Sequence, residues 1–341
     1  MTLEVVLVTG ATGFLGAATV LDLLQRGYRV RAVARSQSKA DQFSVPPETR
    51  DRIQWFTIPD LATPGAFDAA LQDVDYVIHV ASPVLFDFTD NKRDMLDPAI
   101  EGTMNLLRAA AEVPQVKHVV ITSSLSAVMI NPKDGHKYTE DDWNNSTYEE
   151  AAECPPGKQG FVYCASKALA EKAAWKFVVD DGAPFGLTVF CPPMIYGPPY
   201  QPFKSMDELN HSCVQIWNSI SGGKGQSLLT SWPEGAPWID VRDLATLHVD
   251  ALKNPTAKNQ RYLLAAGFIT HSQATHIAAS AFPEQAHRMA KSDNLPPTAN
   301  WGVDSSKVER DFGIRWRTAE ACIGDMAGLL YGKEREFSGR M

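Results

Sequence analysis

The sequence predicts an α/β protein: a doubly wound parallel sheet with helices on both faces and a smaller C-terminal lobe. Three observations lead there. The chain opens with a strand, a glycine-rich turn and a helix in immediate succession, Leu3 to Val8, Thr9 to Gly16 and Ala17 to Leu24. Short apolar runs then alternate with stretches of helical period, the pattern of βαβ units. One such run, Tyr76-Val77-Ile78, lacks polar alternation, as a strand covered on both faces does.

In the first turn, Thr9-Gly10-Ala11-Thr12-Gly13-Phe14-Leu15-Gly16, each glycine has a task. Gly10 allows the tight turn, Gly13 lets the backbone approach a pyrophosphate, and Gly16 lets helix and strand pack closely. Backbone N–H groups at the helix start would hold the phosphates. Glycines also serve plain turns, but strand, turn and helix together are the context of a dinucleotide fingerprint, which makes the expected fold Rossmann-type. The second strand, Tyr28 to Ala34, ends in Arg35-Ser36-Gln37-Ser38-Lys39. An acidic residue there would bind a ribose 2′-hydroxyl and repel a 2′-phosphate; Arg35 and Lys39 instead predict NADPH/NADP as the cofactor. Arg31 alternates along the strand, which leaves its direction open.

A third strand, Ile53 to Ile58, leads to Asp60-Leu61. The fourth, Asp75 to Ala81, ends in Ala81-Ser82-Pro83, small enough to let backbone lie against a cofactor. His79, inside that strand, reads as a satisfied core residue rather than an acid or base. Asp97-Pro98 reads as cap and first position of a helix from Ala99 to Glu112, where Gly102 implies close packing. The fifth strand, Lys117 to Thr122, delivers Ser123 and Ser124 at its C-terminal end, where ligands sit in open α/β sheets; one of the two is expected in the site.

Phe161 to Val179 is predicted helical and carries Tyr163-Cys164-Ala165-Ser166-Lys167. Tyr163 and Lys167 are then i and i+4, with phenol and ammonium on one face. A phenol of pKa ~10 is a poor acid or base at neutral pH, and a fixed cation beside it is expected to lower that value. A second Tyr-x-x-x-Lys, Tyr200 to Lys204, has Pro198, Pro199 and Pro202 around it, so no helix can align its side chains. Beyond, the strand Leu187 to Cys191 passes into Pro192-Pro193, and Trp238 to Ala245 reads as a short strand feeding a helix that returns to the main sheet. The expected domains are 1–190 with about 225–262 for the dinucleotide, and about 191–224 with 263–341 for the substrate lobe.

With 341 residues, 44% apolar and 21% charged, the chain has ordinary globular composition. A net charge of −8 argues against nucleic acid or an anionic membrane as partner. Five cysteines without a C-x-x-C pair suggest neither a disulfide framework nor a metal site. No apolar run approaches the ~18 residues of a membrane span. The strand begins too near Met1 for a signal peptide, so a cytoplasmic location is expected; for the oligomeric state both a monomer and a homodimer stay open.

The segments Thr9 to Gly16, Arg35 with Lys39, His79 to Pro83, Glu101-Gly102-Thr103, Val119 to Ser124, Tyr163 to Lys167 and Trp238 to Ala245 resemble extended short-chain dehydrogenases/reductases. They are most similar to the group of dihydroflavonol 4-reductase, cinnamoyl-CoA reductase and yeast-type NADPH carbonyl (aldehyde and methylglyoxal) reductases. The resemblance implies that Ser124 hydrogen-bonds the substrate carbonyl, Tyr163 protonates its oxygen, and Lys167 binds the nicotinamide ribose and depresses the Tyr163 pKa. It implies a cofactor held by Gly10, Thr12, Gly13, Phe14, Leu15, Gly16, Asp60, Leu61, Val80, Ala81, Ser82 and Thr122, with Pro192 and Ile195 along the nicotinamide. Cys191 stands where many relatives have asparagine. Phe86, Phe88, Leu125 and Tyr196 are expected to line a pocket for a small-molecule aldehyde or ketone with a bulky hydrophobic group. Two other readings stay open: a nucleotide-sugar epimerase or dehydratase with bound NAD, against which Arg35 and Lys39 speak, and a non-catalytic dinucleotide sensor, which would be expected to lose the Tyr–Lys pair.

Overall fold

A computed structural model describes residues 3–83, 87–222 and 234–339. Along the chain, β1 (Val5–Thr9), α1 (Phe14–Gln25), β2 (Arg29–Ala34), α2 (Gln37–Asp41), β3 (Ile53–Thr57), β4 (Tyr76–His79), α3 (Asp97–Ala111) and β5 (His118–Thr122) come first. The middle holds β6 (Lys137–Tyr138), α4 (Tyr148–Ala152), α5 (Gln159–Trp175), β7 (Gly186–Cys191), β8 (Met194–Tyr196) and α6 (His211–Ile220). The last third holds β9 (Ala236–Asp240), α7 (Val241–Ala251), β10 (Gln260–Leu263), β11 (Gly267–Ile269), α8 (His271–Ala281), β12 (Gly302–Val303), α9 (Ser306–Phe312) and α10 (Ala319–Ser338).

Seven strands form one sheet in the order β10-β7-β5-β4-β1-β2-β3, every pair parallel. Side chains alternate across it, so Leu7 joins the core under α3 and α5 while Val6 and Val8 join the core under α1 and α7. Both faces are therefore dry. The chain reverses its direction of spread between β1 and β4, and the crevice at their C-terminal ends is where such sheets bind ligands.

A smaller sheet, β11-β9-β8, packs with α6, α8 and α10 around Trp217, Trp238, Ile323 and Met326. The expected division of the chain shifts here in two respects. β9, expected with the dinucleotide domain, pairs with β8 and β11 in the smaller sheet, while α7, directly after it, returns to the main sheet as expected and docks on α1. Conversely, α9 leaves the lobe: Val308 and Phe312 pack on the large core, with the Phe312 ring 5.7 Å from that of Phe190. Apolar faces settle both, whatever their order in the chain. The start of α3 also differs from expectation. Asp97 does not cap it, because a π-helical turn, Lys92–Leu96, already runs into it. That turn is begun by Asp90, whose carboxylate accepts from the N–H groups of Lys92 and Arg93 at 3.0 Å, while Asp97 accepts from the Tyr148 hydroxyl at 2.6 Å.

Candidate active site

The glycine loop is built as a cradle. Gly10 has φ +66°, and a Cβ on it would lie 3.0 Å from Ala81 N. A Cβ on Gly16 would collide with Gly10 O and lie 2.7 Å from Gly10 C, so helix and turn touch only because nothing stands between them. Gly13 donates to Gly10 O at 2.9 Å and caps α1 with no side-chain acceptor, and no acidic residue occupies the first turn. The first N–H groups of α1 are thus left for an anion. Thr12 and Phe14 are half-buried and Leu15 is buried; Phe14 touches both the large core and the lobe's core.

Arg35 and Lys39 both stand exposed at the C-terminal end of β2. Lys39 Nζ lies 3.6 Å from Glu208, and among the described residues Arg35 has no ion pair. Arg31 is engaged elsewhere, over the Phe56 ring and donating to the carbonyls of Ala69 and Ala70. Asp60 accepts from Ala62 N at 2.9 Å, and Leu61 packs beside Gly102, whose missing Cβ would sit 3.4 Å from Leu61 Cβ. Val80, Ala81 and Ser82 follow β4, half-buried. His79 is fully enclosed: Nδ1 meets Thr9 Oγ1 at 2.8 Å and Nε2 meets Thr103 Oγ1 at 3.3 Å. Since Thr103 donates to Ala99 O, burial pushing the imidazole down to about 3 leaves a neutral ring that bridges two hydroxyls.

β5 and α5 bring Ser124, Tyr163 and Lys167 together. Ser124 is extended and caps the short turn Leu125–Ala127, its Oγ accepting from Ser126 N at 3.1 Å. The Tyr163 phenol hydrogen-bonds the same Ser124 side chain. The structure thereby separates the two serines: Ser123 is buried and donates to Glu171 instead, at 2.5 Å. Lys167 is buried and donates to the Thr122 carbonyl at 3.2 Å, while Thr122 Oγ1 meets His248 Nε2 at 2.7 Å.

The expected lowering of the Tyr163 pKa by Lys167 is not what the protein's own groups produce. Tyr163 keeps some exposure, but its phenol is surrounded by protein, and burial pushes it up to about 12 against the opposing hydrogen bond from Ser124. Burial also pushes the Lys167 ammonium down to about 8, opposed by the negative charge of Glu171. At neutral pH the pair is thus a protonated phenol and an ammonium.

Pro192 is buried and accepts from Leu125 N at 2.8 Å; Ile195, in β8, is half-buried. Among the residues expected to line a substrate pocket, Phe86 lies outside the described residues. Tyr196 is corrected: at 1% exposure, packed in the lobe's core, it has no face to offer. Leu125 and Phe88 belong mainly to packed clusters, 6% and 8% exposed, the Phe88 cluster being the one Tyr163 leans on. Sequence reading missed Glu171, Arg261 and His248. Only Glu171 carried a signal, lying one helical turn beyond Lys167.

The model of the NAD dependent epimerase/dehydratase family matches residues 6–265. The chain belongs to this family. Within it, the chain is an extended short-chain dehydrogenase/reductase, similar to reductases throughout its length. It is 34% identical to a ketoreductase of Aspergillus niger, over 94% of this chain and 95% of that one. It is 30% identical to the NADPH-dependent methylglyoxal reductase of Saccharomyces cerevisiae, over 98% and 99%. The fold superposes on Gre2 of Candida albicans, solved in complex with NADPH, with a TM-score of 0.85 at 31% identity, covering 97% of this chain and 99% of that one.

Proposed function

We propose that this chain is an NADPH-dependent carbonyl reductase that converts an aldehyde or ketone, one carrying a hydrophobic or aromatic group, to the alcohol. The observation that carries this reading is the meeting of Tyr163 with Ser124 at the end of β5, on the same C-terminal edge of the parallel sheet as the glycine turn that follows β1. The names of the relatives support it, as does the absence of an acidic residue among positions 35–39.

NADPH, when bound, would supply the hydride. The protein's own part is positioning and proton supply. The N–H groups opening α1 hold the pyrophosphate, and Arg35 with Lys39 hold the 2′-phosphate. Ser124 and Tyr163 grip the carbonyl oxygen by hydrogen bonds that strengthen as it gains negative charge. A phenol near 12 is fully protonated at neutral pH, and a nascent alkoxide is the base of a far weaker acid, so the proton passes from Tyr163 Oη downhill. Lys167 holds positive charge beside the phenolate left behind and orients the ribose.

A panel of aldehydes and ketones, with loss of NADPH absorbance followed against NADH as control, tests the assignment. Turnover of aryl or alkyl ketones with NADPH is expected. Tight NADPH binding with no oxidation by any carbonyl would mean a sensor, and turnover of a nucleotide sugar with retained NAD would mean an epimerase or dehydratase.

A further inference from the structure

We propose that Glu171 is a positioning residue for this chemistry: clamped by Arg261, it keeps the Lys167 ammonium charged and holds the Ser123–Ser124 segment where Tyr163 meets it. The inference rests on the reductase reading above. Tyr163, Lys167 and Glu171 follow one another at four-residue steps and share one face of α5.

Glu171 is 2% exposed, and its carboxylate is saturated. Oε1 accepts from Arg261 Nε at 2.7 Å and Trp175 Nε1 at 3.2 Å, and Oε2 from Ser123 Oγ at 2.5 Å and Cys191 Sγ at 3.5 Å. The Cys191 thiol thus points at this carboxylate. Arg261 is itself buried, lies over the Trp143 ring at 3.7 Å, and donates to the carbonyls of Glu140 and Asp142 at 2.8 and 2.7 Å. The clamp thus ties α5 to β10, to the loop before α4 and to the serine that precedes Ser124.

Buried ion pairs add little net stability compared with apolar replacements, so stability alone is a poor reason for this one. The effect of Glu171 on Lys167 acts through space along one turn of α5 and not through a contact, the carboxylate's own ion pair being with Arg261. Lys167 is desolvated, and among the described residues its hydrogen-bond partner is a carbonyl, that of Thr122, at 3.2 Å. The titratable groups that act on it are Glu171 on α5, neutral His79 on β4 and Cys191 on β7, with Arg261 on β10 beyond Glu171; Tyr163 lies one helical turn before it on α5. Glu171 is the one among them that carries negative charge. It opposes the desolvation that drives Lys167 toward its neutral form, and a neutral amine holds no charge beside a developing phenolate.

Glu171→Gln keeps the shape and an acceptor but removes the charge. The measurement is kcat/KM for NADPH-dependent ketone reduction from neutral to alkaline pH, together with the thermal midpoint. In the parent protein, activity should fall as pH rises through about 8, where Lys167 loses its proton. In Glu171→Gln that limb should move toward acid by about one pH unit, about tenfold in the charged fraction at a fixed alkaline pH, and Glu171→Asp should restore it. A loss uniform in pH, with the limb unmoved, is a packing defect and overturns the inference. Should Glu171→Gln fail to fold, the double variant Glu171→Gln/Arg261→Met strands no charge and is compared with Arg261→Met alone: a more acid limb in the double variant supports the inference, and the same limb in both overturns it. A parent protein that reduces no carbonyl sinks the reductase reading and this inference with it; an active parent with an unmoved limb in the variant sinks this inference alone.

Discussion

Lys167 Nζ donates to the Thr122 carbonyl at 3.2 Å, and one helical turn earlier Tyr163 meets Ser124, two residues beyond Thr122. Two residues of extended chain span about 6.6 Å and four of a helix about 6 Å, so α5, running back against β5, matches the strand's step at both contacts. The phenol is fixed at two points, through its own hydroxyl and through the lysine that pins its helix.

Tyr163→Phe should lower kcat by ~10²–10⁴, the usual contribution of a positioned general acid, while NADPH binding is retained. Rapid-mixing kinetics and a coenzyme fluorescence titration on the same sample check both halves. Turnover within a few-fold of the parent would move the proton donor elsewhere.

Replacing Arg35 and Lys39 by Ala should raise the KM for NADPH by at least ~10-fold, since one charged hydrogen bond is worth ~1.5–3 kcal/mol. The KM for NADH should hardly move. An equal rise for both coenzymes would refute the 2′-phosphate role.

Gly16→Ala places a methyl group against Gly10 O and should cost ~1–3 kcal/mol by overpacking. The displaced turn should also weaken coenzyme binding. A variant with the parent's thermal midpoint and affinity would show that the cradle is not tight.

His79, His118 and His248 are buried and pushed down to about 3, 4 and 4 by burial. Their folded pKa values lie below the unfolded ~6.5, so the unfolded chain binds more protons in between. Their stabilisation is complete above pH ~6.5 and is lost as pH falls toward 4 and 3, by roughly 2 kcal/mol for each histidine by pH 5. Urea titrations at pH 7 and pH 5 read the difference; a flat profile would mean that these rings are not held neutral.

Much of the site was legible because its signals are local. The glycine loop is a contiguous turn, and Tyr163 with Lys167 is a helical pair whose rival at Tyr200 is undone by neighbouring prolines. The strand end alone left Ser124 as one of two serines, and only the family resemblance singled it out. The structure gives the physical reason: Glu171 takes Ser123 as a hydrogen-bond donor. Tyr196 misled because an aromatic residue beside a proline-rich turn can face a cleft or a core, and here the lobe's helices cover it.

The order of strands and helices, the glycine turn and the helical pair Tyr163–Lys167 follow from the sequence itself, because short-range sterics and the 3.6-residue period suffice to place them. The pairing of Glu171 with Arg261, ninety residues apart, the seat of β9 in the smaller sheet, and the direction in which the Tyr163 and Lys167 pKa values move were decided by the tertiary structure. Each depends on which surfaces lose water when distant segments meet, and desolvation is a property of the packed molecule that no local stretch of residues contains.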